Sequence, residues 1–246
     1  MRVAVAVWRL VRSVVHLLHG MAIVALRFGS LDAAGRQARI AWWSAGLLRA
    51  LGVRLRCTGS FRPGATLLVI NHVSWLDIAA VHAVCPRARF VSKADVRHWP
   101  LLGWLIAAVG TLFIERERKR DALRVVHQMA RSLALGDTVA IFPEGTTGDG
   151  RTLLAFHANL LQAAIANATP VQPVMLRYSQ PGHAVSPAVA WLGTTTLVQS
   201  VWAIARAEAI EVQVAPLSAR DSAHADRRAL AQTLRSDIEA ALGGVE

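Results

Sequence analysis

His72 and Asp77, five residues apart in Asn71-His72-Val73-Ser74-Trp75-Leu76-Asp77, are the side chains of this chain best equipped for proton chemistry. An imidazole can take a proton from a hydroxyl near neutral pH. A carboxylate on one ring nitrogen fixes the tautomer and leaves the other nitrogen as a base. The spacing is not the i, i+4 histidine pair of a zinc helix, and no third ligand stands nearby, so no metal is expected. A turn followed by a helix start can carry the Asp77 carboxylate back to His72, with Asn71 and Ser74 fixing the turn through local side-chain bonds. A second stretch, Phe142-Pro143-Glu144-Gly145-Thr146-Thr147-Gly148-Asp149-Gly150, passes through a proline and three glycines. Such a loop can present backbone N–H groups to an anion or a developing oxyanion. Glu144 can accept hydrogen bonds from substrate hydroxyls or orient the loop.

Each stretch follows a short apolar run, Thr66–Ile70 in one case and Thr138–Ile141 in the other. Two strand ends that deliver polar residues to turns imply one shared site. Further strands are expected at 53–58, 88–91, 111–114, 170–177 (weakened by Pro173), 189–192 and 210–214. Helices are expected at 74–84, 99–108, 118–135, 153–166 and 223–242, with glycines or prolines at several ends. The alternation predicts an α/β fold with a mainly parallel central sheet flanked by helices. No internal repeat, Walker A motif or dinucleotide-binding glycine pattern is present.

The 246 residues fit one α/β domain or a domain plus an appendage. Hydrophobic residues make up 54% and charged residues 17%, yet the formal net charge is +11. A soluble domain typically carries about 25% charged residues. Few charges with a strong basic excess suit a protein lying on an anionic membrane face. Nucleic acid ranks below lipid as a partner, because the arginines punctuate apolar runs rather than interleave with exposed polar and aromatic residues. Cys57 and Cys85 form no metal-type pair. They read as small buried hydrophobes of a protein in a reducing compartment.

Residues 3–28 are nearly all apolar, broken by Arg9, Arg12, His16, His19 and Arg27. On a helix the first four of these share a face, and Val5, Val7, Val14, Val15, Leu18 and Ile23 lie opposite. That pattern describes an amphipathic helix in the membrane interface, and the charges count against a spanning helix or a signal peptide. A second helix is expected over 33–51, with Trp42 and Trp43 suited to headgroup level. The division expected is a helical membrane-association segment at 1–51 and an α/β catalytic domain at 52–246, on the cytoplasmic face, monotopic or with a single N-terminal anchor.

Asn-His-x4-Asp followed about 65 residues later by Phe-Pro-Glu-Gly-Thr resembles the glycerolipid acyltransferase family, which includes the 1-acylglycerol-3-phosphate O-acyltransferases. Three intermediate segments also resemble the family's second block: Ser92-Lys93, Trp99-Pro100-x2-Gly103, and Gly110 through Arg116. Val171-Gln172-Pro173-Val174 resembles its fourth, so the likeness covers roughly residues 53–180. The resemblance implies direct acyl transfer. His72, oriented by Asp77, would deprotonate a lysolipid hydroxyl, which attacks the thioester of acyl-CoA or acyl-acyl carrier protein without a covalent enzyme intermediate. Those thioesters enter as co-substrates, and no cofactor is implied. Lys93 and Arg116 match positions near substrate phosphate. Glu144, Gly145 and Thr146 match the acceptor loop, and Asn71 and Ser74 fall in the histidine block beside the substrate.

Two positions depart from the phosphatidate-forming pattern. Thr147 stands where an Arg is common, and Phe156-His157-Ala158-Asn159 replaces a Phe-Lys-x-Gly run. Two fewer cations weaken the case for a phosphate on the acceptor. The expected acceptor is 1-acylglycerol-3-phosphate, the family's commonest, with lyso-ornithine lipid or another lysolipid as the alternative. A non-catalytic lipid-binding module is the rival from another class.

Overall fold

Runs of apolar residues too short for helices build the sheet of this protein, and the computed structural model describes residues 2–93, 98, 102–114 and 119–244. The strands are β1 (Arg54–Cys57), β2 (Thr66–Ile70), β3 (Ala88–Lys93), β4 (Leu112–Ile114), β5 (Thr138–Ile141), β6 (Val171–Ser179) and β7 (Glu211–Pro216). Among the described residues they form one sheet in the order β1-β7-β6-β2-β5-β3-β4. β6, β2, β5, β3 and β4 run parallel, while β7 runs antiparallel to β6 and carries β1 parallel to itself. The sheet is therefore mainly parallel, as the alternating pattern predicts.

The helices are α1 (Arg2–Arg27), α2 (Ala33–Leu51), α3 (Leu76–Val84), α4 (Leu102–Ala108), α5 (Lys119–Ala134), α6 (Gln162–Ile165), α7 (Leu197–Arg206) and α8 (Arg227–Gly243). β2 is buried at every position. Leu68 and Ile70 face a core shared with Leu48 and Leu51 of α2, Leu76 and Val81 of α3, and Ile204 of α7. Leu67 and Val69 face the opposite core, against Met129 and Leu133 of α5 and Leu230 and Leu234 of α8. Burying one such side chain contributes about 1.5–3 kcal/mol. Layers on both faces explain why the central strands read as unbroken apolar runs.

Several expected elements differ from those observed. Helix α3 begins at Leu76 rather than at residue 74, because the N–H groups of Val73 and Ser74 donate to Asp77. The helix expected over 153–166 is a connection ending in a 3₁₀ turn (Ala158–Leu161) and the short α6. There Glu144 takes the Leu154 N–H, and the Pro143 carbonyl takes the His157 N–H that would have closed the first turn of such a helix. The apolar run 189–192 is irregular chain, although Val189 is fully buried. Pro173 does not weaken β6 into an edge. It pairs with Val69 in mid-sheet, and its carbonyl accepts from Leu217 N–H at 2.9 Å.

The first two helices form a hairpin. Asp32 caps α2 by accepting the Gly35 N–H, and Gly52 closes it in the left-handed region at φ 81°. Gly20 of α1 meets the Trp43 indole so closely that an added Cβ would lie 2.1 Å from its Nε1. Part of the polar stripe of α1 faces the protein, through Arg9 and His16, while Arg12 and His19 stay exposed. Arg9 donates to the Ala205 and Ala207 carbonyls at the end of α7 (3.0 and 2.6 Å), a favourable place for a cation. His16 bonds the Trp43 carbonyl and stacks on its ring, and His19 meets Trp42 edge-on. Val7, Trp8, Val11, Val14, Val15, Leu18 and Leu26 are left exposed on the outer side. Among the described residues α1 is the one helix long and apolar enough to cross a membrane.

Candidate active site

β2 leaves the sheet at Asn71, and the side chain of Asn71 completes what the backbone abandons. Its Oδ1 accepts Leu176 N–H at 2.7 Å and its Nδ2 donates to the Leu176 carbonyl at 2.9 Å. The amide continues the β2–β6 ladder by one rung, a long-range bond rather than the local one expected. Asn71 is 1% exposed, so it holds backbone and offers nothing to solvent.

The chain then turns, and Asp77 in the first turn of α3 reaches back over it. One carboxylate oxygen, Oδ2, accepts from His72 Nδ1 (2.8 Å), Val73 N–H (2.7 Å) and Ser74 N–H (3.0 Å). The other, Oδ1, accepts from the Tyr178 hydroxyl at 2.8 Å. Asp77 is fully buried, and four donors on an ionised carboxylate at a helix start account for its burial. With Asp77 an acceptor on both oxygens, Nδ1 of His72 carries the proton and Nε2 is the basic nitrogen. The His72 side chain is 19% exposed. Its ring stacks on Phe142 at 3.9 Å between centroids, and Phe90 stacks behind Phe142 at 5.4 Å. Ser74 is fully buried, and its Oγ accepts Leu76 N–H at 3.4 Å, a local bond at the helix entry.

Glu144 joins the two sequence stretches. Its Oε1 accepts His72 N–H at 2.7 Å, and its Oε2 accepts Leu154 N–H at 2.8 Å. Gly148 N–H returns a bond to the His72 carbonyl at 2.7 Å. Glu144 is 5% exposed, and burial raises its carboxyl above the ordinary 4.5 against the pull of those two backbone donors. Of the two possibilities left open in the sequence, orienting the loop is the one the geometry occupies. Gly145 lies at φ 72°, where a side chain is strained, with the His157 ring against it. Several of the loop's N–H groups are engaged within it, Gly145 to the Phe142 carbonyl and Arg151 and Thr152 to Asp149. The Thr147 hydroxyl donates to the Trp191 carbonyl, while Trp191 N–H donates to the Val73 carbonyl at 3.1 Å. The irregular 189–192 segment thereby straps the two turns together.

Thr146 is exposed beside this cluster, and Gly145 is half-buried within it. Lys93 ends β3, paired in register with Ile114 of β4, two strands from β2. Arg116, Trp99 and Pro100 lie outside the described residues. Sequence reasoning misses Tyr178, Trp191 and the stacking role of Phe142. Tyr178 carries a faint signal, being the single tyrosine of the chain and next to an apolar strand. Trp191 carries none.

A family model described as Acyltransferase matches residues 54–177, from β1 to within two residues of the end of β6. The chain belongs to the acyltransferase family. Among its curated relatives, the lyso-ornithine lipid O-acyltransferase of Pseudomonas aeruginosa is 37% identical over 209 residues, covering 85% of this chain and 80% of that protein. The 1-acyl-sn-glycerol-3-phosphate acyltransferase of Neisseria meningitidis is 34% identical over 200 residues, covering 79% and 77%. The crystal structure of the 1-acyl-sn-glycerophosphate (LPA) acyltransferase PlsC from Thermotoga maritima superposes with a TM-score of 0.74 at 17% identity, over 100% of this chain and 98% of that one. At that identity the likeness speaks for the fold alone. Within the acyltransferase frame, the His72–Asp77 pair is the arrangement able to activate a hydroxyl.

Proposed function

We propose that this acyltransferase moves a fatty acyl chain from acyl-CoA or acyl-acyl carrier protein to the free hydroxyl of a lysolipid at a membrane surface. The observation that carries the reading is the 2.8 Å bond from His72 Nδ1 to a buried, fully engaged carboxylate, beside an exposed loop edge. His72 Nε2 takes the acceptor's hydroxyl proton as its oxygen attacks the thioester carbonyl. The tetrahedral centre collapses, the C–S bond breaks, and the imidazolium returns the proton to the departing thiolate. General-base assistance of this kind contributes about 10²–10⁴-fold, and positioning supplies much of the remainder. Asn71, Ser74, Asp77 and Glu144 set the place and tautomer of His72. Gly145 and Thr146 border the acceptor, and Lys93 and Arg116 bind anionic substrate groups.

Lyso-ornithine lipid is the first acceptor in this reading. Relatives so named in Pseudomonas, Brucella and Rhizobium are 34–37% identical to the chain. Thr147 also spends its hydroxyl on Trp191 rather than presenting a cation. The Neisseria relatives keep 1-acylglycerol-3-phosphate as the second reading. The membrane is met on the cytoplasmic face by the outward apolar side of α1, monotopically, with the basic excess drawn to anionic lipids.

The test is release of CoA thiol from acyl-CoA, or of free carrier protein from its acyl form, with a panel of lysolipids. His72→Ala is expected to lose at least ~10²-fold in rate while remaining folded. Near-wild-type turnover by that variant, or no thiol release by the wild type with any acceptor and donor, would end the reading in favour of a lipid-binding module.

A further inference from the structure

Tyr178 is buried to 1% and lies 101 residues from Asp77 in sequence, yet its hydroxyl is 2.8 Å from Asp77 Oδ1. It lies on β6, one strand over from the β2 end that carries His72. The other three donors to Asp77 all meet Oδ2, so the phenol is what engages Oδ1. We infer that Tyr178 is a positioning residue of the acyl-transfer site, acting through Asp77 to hold the carboxylate's orientation and moderate its basicity toward His72. The inference rests on the reading of His72 as the base.

The chemistry runs in one direction. A phenol that donates to Asp77 stabilises its negative charge, which lowers the carboxylate's pull on the proton it shares with Nδ1. Burial and the adjacent carboxylate hold the Tyr178 hydroxyl well above its ordinary range, so it stays a donor through the working pH. The titratable groups around this carboxylate come from three elements. His72 lies on the turn after β2, Tyr178 on β6, and Glu144 on the turn after β5. His82, on α3 itself, turns to the Ala88 carbonyl. Without the phenol, Asp77 draws the imidazolium form of His72 more strongly, and the acid limb of the kcat/KM profile moves to higher pH.

Tyr178→Phe keeps the ring and removes only the hydroxyl. The purified variant is expected to lose roughly 10-fold or more in kcat, the scale of one hydrogen bond to a charged group, with KM for the lysolipid little changed. Its acid limb should move up by about half a pH unit or more. In an Asp77→Asn background the same change should have no further effect, because the path through the carboxylate is already cut. A structural role alone would lower the melting temperature and leave the pH limb in place, and that result would overturn the inference. So would an equal loss in the wild-type and Asp77→Asn backgrounds. Should Tyr178→Phe unfold, Tyr178→Trp and Tyr178→Leu, which lack the phenol but fill the site differently, would have to share the shifted limb. The His72→Ala assay separates the two ideas. A dead His72→Ala with an unmoved Tyr178→Phe profile removes this inference only, and an active His72→Ala removes both.

Discussion

At the scale of single residues, the site is built from carboxylates that accept backbone N–H groups before they do anything else. Asp77 holds the turn and the imidazole with one oxygen. Glu144 holds the histidine's own N–H with one oxygen and Leu154 with the other. Replacing Glu144 with Gln puts an amide donor against one of those N–H groups. Glu144→Gln should cost about 1–3 kcal/mol of stability and lower turnover, read by urea unfolding and the thiol-release assay. Its pH signature is specific. Burial raises the folded Glu144 carboxyl above 4.5, so the unfolded chain releases that proton first. The stability this group contributes is present below pH 4.5 and falls away as pH rises through the raised value. That decline should vanish in Glu144→Gln, and an unchanged slope would show that another group titrates there.

At the scale of elements, α1 inverts the usual surface helix. Arg9 and His16 turn inward to the carbonyls ending α7 and to Trp43, and the exposed His19 edges against Trp42, while most of its valines and Trp8 turn outward. Water gives no reason for such an orientation, and a lipid surface does. Val14 and Leu18 are both 56% exposed and touch neither core. The double change Val14→Asp with Leu18→Asp should therefore leave folding stability within about 0.5 kcal/mol. It should markedly reduce co-flotation with vesicles of phosphatidylglycerol and phosphatidylcholine. Flotation equal to wild type would show that this face does not meet lipid.

At the scale of the whole molecule, a net charge of +11 on a chain with 54% hydrophobic residues gives two separable contributions to membrane binding. The electrostatic part is screened by salt over a Debye length of about 8–10 Å, and the apolar part is not. Raising salt from roughly 0.1 M to 1 M should weaken binding to anionic vesicles yet leave a residue that phosphatidylcholine vesicles share. Complete release by salt would assign the attachment to charge alone. The sheet supplies the rigid frame for this arrangement. β2, β5 and β6 are adjacent and parallel, so their carboxyl ends meet at one edge and bring His72, Glu144 and Tyr178 together.

The fold class and the His72–Asp77 pair were legible in the chain because both are short-range. Apolar runs of strand length alternate with helical periods, and the carboxylate reaches its imidazole across five residues. Helix α2 matched its expected bounds because its start and stop residues, Asp32 and Gly52, act locally. Tertiary structure alone decided three further features. Whether residues 153–157 wind into a helix depends on Glu144 and Pro143 claiming their N–H groups. Which way α1 faces depends on α2 and α7 offering carbonyls and indoles to its basic stripe. That a lone tyrosine closes the Asp77 carboxylate depends on β6 settling beside β2. Each of these is a bond between partners distant in sequence, and local pattern carries no record of which distant donor will meet which buried acceptor.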